Sequence, residues 1–179
     1  MRTSDQTPEP VLYFAYGSNI ATARLRQRTP SCLPLGIATL PGHVLRFHKR
    51  SADGSGKCNA LATSADSQVI GVLYHLEPAE LPRLDAAEGV GKGYTRDTVT
   101  VVDAAGQHRE ALTYRAMPGH IDDSLEPYGW YKAYVLAGAR EHGLPQDYVE
   151  TFILPVVATD DPDRARDARE RATLESAAR

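Results

Sequence analysis

Cysteine is scarce: Cys32 and Cys58 are the only two in 179 residues. Two thiols cannot build a disulfide framework or a zinc site of the usual CxxC type. Basic charge is not in surplus either. Lys and Arg number 20 against 23 Asp and Glu, a net charge of −3, which speaks against nucleic acid as the main partner, because a polyanion binder carries a basic patch. No stretch approaches the ~20 apolar residues that span a bilayer. Met1–Pro10 is polar and contains proline, with no apolar centre of the kind a signal peptide needs. The expected compartment is the cytoplasm, where both thiols stay reduced. Metal hydrolysis finds no support, since the six histidines show no H-E-x-x-H spacing. No G-x-S-x-G elbow is present for a serine hydrolase.

What is present fits one ordinary domain. Residues 1–10 read as a disordered lead, 11–158 as the domain and 159–179 as a charged C-terminal helix. Val11 to Tyr16 is a short apolar and aromatic run, suited to a buried strand. A helix is expected from Ile20 to Arg28, capped by Ser18 or Asn19, with Arg24, Arg26 and Arg28 off its apolar side and Pro30 ending it. Strands are expected over 35–40, 44–50, 59–63 and 69–76, with a flexible loop at 53–57. Pro78 opens a second helix that Gly89 stops. Thr98–Val102 and Glu110–Ala116 form a hairpin. Helices follow over 130–142, 145–154 and 163–177, the last a solvated face of mixed charge. Many strands before a helical final third predict an α+β fold with a mixed or mostly antiparallel sheet.

Three features bear on chemistry, and each also has a plain structural reading. The first is the strand–turn–helix junction at Tyr16-Gly17-Ser18-Asn19. Glycine lets the backbone approach a ligand, and the free amides at a helix start suit a carboxylate or a developing oxyanion; the same residues could simply cap a helix. The second is Glu88, a carboxylate in the expected last turn of a helix. That end of the dipole disfavours it. The field and any burial would raise its pKa towards neutrality and suit it to proton transfer; it could equally be an exposed acid. The third is the tyrosines, among them Tyr13, Tyr16, Tyr94, Tyr114 and Tyr131. Each is a core residue by default and a possible polar contact in a pocket.

Together these blocks resemble a family. Tyr13-Phe14-Ala15-Tyr16-Gly17-Ser18-Asn19-Ile20 is similar to the YGSN signature of the γ-glutamylcyclotransferases. Leu84 to Val90 is similar to the segment bearing that family's catalytic glutamate, and Tyr131-Lys132 with Gly138 to Pro145 to its C-terminal helix. The resemblance spans about residues 11–155. It implies a small, mixed, barrel-like β-sheet flanked by helices. It implies Glu88 as the general acid/base, Tyr13, Phe14, Ala15, Tyr16, Gly17, Ser18 and Asn19 as the γ-glutamyl pocket, and Tyr131 and Tyr94 as further substrate contacts. The partner it implies is a small γ-glutamyl molecule, with no cofactor and no metal; a homodimer is compatible with it. Ile20 stands where the signature often has Leu, the Glu88–Tyr94 stretch is about one residue short, and residues 50–60 with Cys58 do not align. The identity of the leaving group therefore stays open between amino acids, dipeptides and a biosynthetic amine. A non-catalytic γ-glutamyl-binding module and a hydrolase using Ser18 are the readings from other classes.

Overall fold

The computed structural model describes residues 9–177. Most of the expected N-terminal lead, residues 1–8, lies outside the described residues.

Seven strands form a barrel and a ribbon. The apolar run expected to be a buried strand is β1 (Val11–Ala15). It pairs antiparallel with β5 (Gln68–Leu76), Tyr13 opposite Tyr74, and touches β7 (His108–Ala116) in parallel at Leu112. On its other side β5 carries β2 (Leu33–Pro41), which meets β6 (Tyr94–Asp103), and β6 pairs along its length with β7. The order β1-β5-β2-β6-β7 therefore closes into a barrel. Closure leaves none of these five strands with a free edge. β5 is apolar along its length because it is flanked on both edges and buried from Val69 to Tyr74. The remaining strands, β3 (His43–Arg50) and β4 (Gly56–Ala62), make a separate two-stranded ribbon. Helices α1 (Thr22–Arg28), α2 (Leu81–Glu88), α3 (Gly129–Glu141), α4 (Gln146–Phe152) and α5 (Arg164–Ala177) complete the chain. The α+β, barrel-like architecture is the one expected.

Three local expectations need correction. The helix expected from Ile20 is broken: Ser18–Ile20 is a 3-10 turn, Ala21 is extended, and α1 starts at Thr22. Neither Ser18 nor Asn19 caps it, because their side chains are taken elsewhere: Ser18 Oγ accepts from Arg24 Nε at 3.0 Å, and Asn19 Nδ2 donates to Glu88 at 2.8 Å. The Thr22 amide donates instead to Glu141 Oε2 of α3, 3.1 Å away. The segment 53–57 is not a loose loop. Lys57 Nζ lies 2.8 Å from Asp53 Oδ2 and 2.7 Å from Ser55 Oγ, and sits over the Trp130 and Tyr131 rings. Burial pushes this ammonium down to about 8. The ammonium thus pins the start of β4 to α3.

The third correction concerns arginine and the last helix. Arg24 is buried, stacks over Tyr134 at 4.5 Å and pairs with Glu170 of α5 at 2.8 Å. The Tyr134 hydroxyl also reaches the Glu170 carbonyl at 3.1 Å. One face of α5 is therefore bound to the domain, and the rest is exposed as expected. α2 ends where predicted. Gly89 has φ 71°, and the Val90 amide turns back to the Asp85 carbonyl at 3.0 Å.

Candidate active site

The barrel, the ribbon, α2, α3 and the Gly17–Asn19 turn line a half-open cavity of about 290 Å³, its open mouth included. Its wall is Tyr13, Tyr16, Gly17, Ser18, Asn19, Cys58, Glu88, Tyr94, Tyr114 and Tyr131. Eight of the ten residues that the resemblance assigns to the site meet here, together with Tyr114. Phe14 and Ala15 do not, although both are buried. The Phe14 ring packs instead against Gly71, where a Cβ would come within 2.9 Å of it.

Gly17 is at this wall for a steric reason. A Cβ there would meet Cys58 Cβ at 2.9 Å and the Tyr131 hydroxyl at 3.1 Å. The absence of a side chain lets the turn lie against β4 and α3 together. Beyond it, the amides of Ser18 and Asn19 head the 3-10 turn, whose own bonds run from Ile20 to Gly17 and from Ala21 to Ser18. The first amides of such a turn have no partner within it, so these two remain able to donate to a ligand.

Glu88 is the one acid in the wall, and its two oxygens differ. Oε1 accepts from Asn19 Nδ2 at 2.8 Å and from Arg28 Nη1. Arg28 also donates to Asn19 Oδ1 at 2.9 Å. Among the described residues Oε2 has no hydrogen-bond partner. One oxygen is thus fixed by the protein, and the other is left for a ligand. The sequence sets Arg28 only off the apolar side of its helix and gives it no part in the site. No local signal marks it, since its partner lies 60 residues away.

The tyrosines sort by what their hydroxyls do. Tyr16 donates to the Tyr114 carbonyl and Tyr94 to the Cys58 carbonyl. Both spend their protons on the frame, so they act as walls. Tyr13 accepts from Asn19 at 2.9 Å, and Tyr131 accepts from the Cys58 amide at 3.0 Å. Each of these keeps its own proton for another acceptor. Burial pushes Tyr13, Tyr16, Tyr94 and Tyr131 well above the ordinary tyrosine range, and raises the Cys58 thiol to about 12. These five groups stay neutral at physiological pH. Cys58, which had no assignment from the sequence, contributes its backbone to two tyrosines and a neutral thiol to the wall.

A closed barrel with a small polar cavity, one carboxylate with a free oxygen and two unspent amides is a site for proton transfer on a small polar molecule. A family model described as "AIG2-like family" matches residues 68–152. The chain is 34% identical over 148 residues to the γ-glutamylcyclotransferase of Bos taurus, covering 80% of this chain and 77% of that one. It is 34% identical over 146 residues to the Homo sapiens γ-glutamylcyclotransferase, with 79% and 77% covered. A solved structure named as a γ-glutamyl cyclotransferase superposes with a TM-score of 0.83 at 26% identity, over 94% of this chain and 99% of that one. The chain belongs to the γ-glutamylcyclotransferase family, and is an enzyme of that type.

Proposed function

We propose that this protein turns a γ-glutamyl amino acid or amine into 5-oxoproline and the free amine, with Glu88 carrying the proton. The observation that carries the reading is the free Oε2 of Glu88, in a wall that also holds the Ser18 and Asn19 amides.

The steps follow from those positions. The substrate's α-ammonium loses a proton to Glu88 Oε2 and becomes a neutral amine. Its lone pair attacks the substrate's own γ-carbonyl, forming the ring C–N bond and a tetrahedral oxyanion. Backbone amides of the Gly17–Asn19 turn stabilise that charge. Glu88 returns its proton to the departing nitrogen as the C–N bond to the leaving amine breaks. The ring nitrogen then gives its second proton to the same carboxylate, which passes it to the released amine, leaving a neutral lactam and a free ammonium. Nothing is oxidised or reduced, and no cofactor is required. Ring closure is intramolecular, so the cavity mainly has to fold the substrate; well-oriented intramolecular reactions reach effective molarities of ~10⁵ M or more. Tyr13 and Tyr131 supply the hydroxyl protons that orient the γ-glutamyl group.

Ser18 is a framework residue on this reading. Its Oγ accepts from Arg24, and a guanidinium cannot serve as the base a nucleophilic serine needs. Ser18→Ala should therefore keep turnover within about tenfold of the parent, since the amides stay in place and the lost hydrogen bond from Arg24, worth ~1.5–3 kcal/mol, is a cost to stability. A 5-oxoproline assay beside a hydrolysis assay for free glutamate checks this. Complete loss of turnover in a folded variant would favour a serine hydrolase.

A further inference from the structure

Lysines in this fold show a contrast. Lys57 Nζ has two side-chain partners, and Lys132 Nζ reaches the carbonyls of Leu154 and Val156 at 2.8 and 2.6 Å. Lys49, near the end of β3, is only 6% exposed, yet its ammonium has no hydrogen-bond or ion-pair partner among the described residues. It rests over the Tyr94 ring, 4.4 Å from the centroid. The side chain is packed away while the ammonium itself is unpaired and not sealed from water, so a ligand can reach it. Burial pushes it below the ordinary lysine range, while Glu88, then Asp53, pull it back. Neither carboxylate is close enough to pair with it.

The surroundings locate this ammonium. A Cβ on Gly93 would lie 2.7 Å from Lys49 Cε, 2.8 Å from Nζ and 3.5 Å from His120 Cδ2. Lys49 and His120 thus press on the same glycine, which lies between Glu88 and Tyr94 in the chain. His120 Nδ1 is also buried without a hydrogen-bond partner. An unpaired ammonium therefore lies beside the wall residue Tyr94, with Glu88 the strongest charge acting on it and the His120 ring against the same glycine.

In the proposed reaction the scissile nitrogen lies beside Glu88, which protonates it. When the leaving group is an amino acid, that nitrogen is two bonds from a carboxylate carbon. We infer that Lys49, with His120 beside it, forms the subsite for the α-carboxylate of the leaving amino acid and selects amino acids over simple amines. The inference rests on the cyclotransferase reading above. The carboxylate supplies the missing counter-ion, and the subsite lies next to the wall of the γ-glutamyl cavity.

The test compares γ-glutamyl-alanine with γ-glutamyl-alaninamide, which differ by one charge at equal size. The parent protein should prefer the acid by about 10- to 100-fold in kcat/KM, the range of a hydrogen-bonded charge. Lys49→Met should lose that preference by slowing only the acid, and Lys49→Arg should restore part of it. Equal kcat/KM for the two substrates in the parent overturns the subsite and leaves the cyclotransferase intact; so does an equal loss on both in Lys49→Met. No 5-oxoproline from either substrate in the parent removes the cyclotransferase reading and the subsite with it.

Discussion

Glu88→Gln should melt like the parent and form 5-oxoproline about 10²- to 10⁴-fold more slowly, the usual contribution of a positioned acid/base. The side chain keeps its size. Its amide oxygen can still accept from Asn19 and Arg28, the two groups that hold Oε1. What is lost is the free oxygen that takes the ammonium proton, since an amide nitrogen is a donor. The Arg28 charge loses its partner, but Arg28's side chain is 19% exposed and water can compensate in part. Glu88→Asp should fall between the two, because it keeps the chemistry and retracts it by one methylene. The assay is 5-oxoproline release at saturating substrate, paired with a thermal melt. Full activity in a folded Glu88→Gln protein would end the assignment.

Gly138→Ala should destabilise the protein by about 1–3 kcal/mol, as overpacking does, and the sign is the test. At an ordinary helix-interior position the same change stabilises by about 1 kcal/mol. Gly138, however, is where α3 lies against the backbone that follows the site turn. A Cβ there would run into the Ala21 amide nitrogen and come within 2.6 Å of the Ile20 carbonyl carbon. Those are main-chain atoms, which cannot step aside as a side-chain tip can. Thermal melting should show a fall of about 2–4 °C per kcal/mol for a chain of this size. Activity should fall with it, because Ile20 and Ala21 adjoin the amides of Ser18 and Asn19. A more stable Gly138→Ala protein would mean that α3 and the turn are not in close contact.

Much of the scaffold was legible because its signals are local. The apolar runs of β1 and β5, the 103–107 turn between β6 and β7, and the Glu88-Gly89 helix end each show in a few adjacent residues. The YGSN block and the Glu88 block were legible too, and the cavity joins them. The rest depends on partners far apart in sequence. Arg28 looks like any other helix arginine until Glu88 folds onto it, and Arg24 until Glu170 arrives from 146 residues away. Glycines and small polar residues suggested a loose loop at 53–57, but a buried ammonium overrides that local composition. The break at Ala21 was hidden because the competing bonds of Ser18 and Asn19 are tertiary. Phe14 was placed in the pocket with its neighbours because a contiguous motif does not say which side chains face inward.

The grip of α5 on Arg24 has a practical outcome for anyone preparing the protein. Trimming the chain ahead of α5 would remove Glu170 and strand a buried guanidinium that also holds Ser18. Shortened versions meant for crystals or fusions should keep residues through at least the middle of α5, or replace Arg24 at the same time.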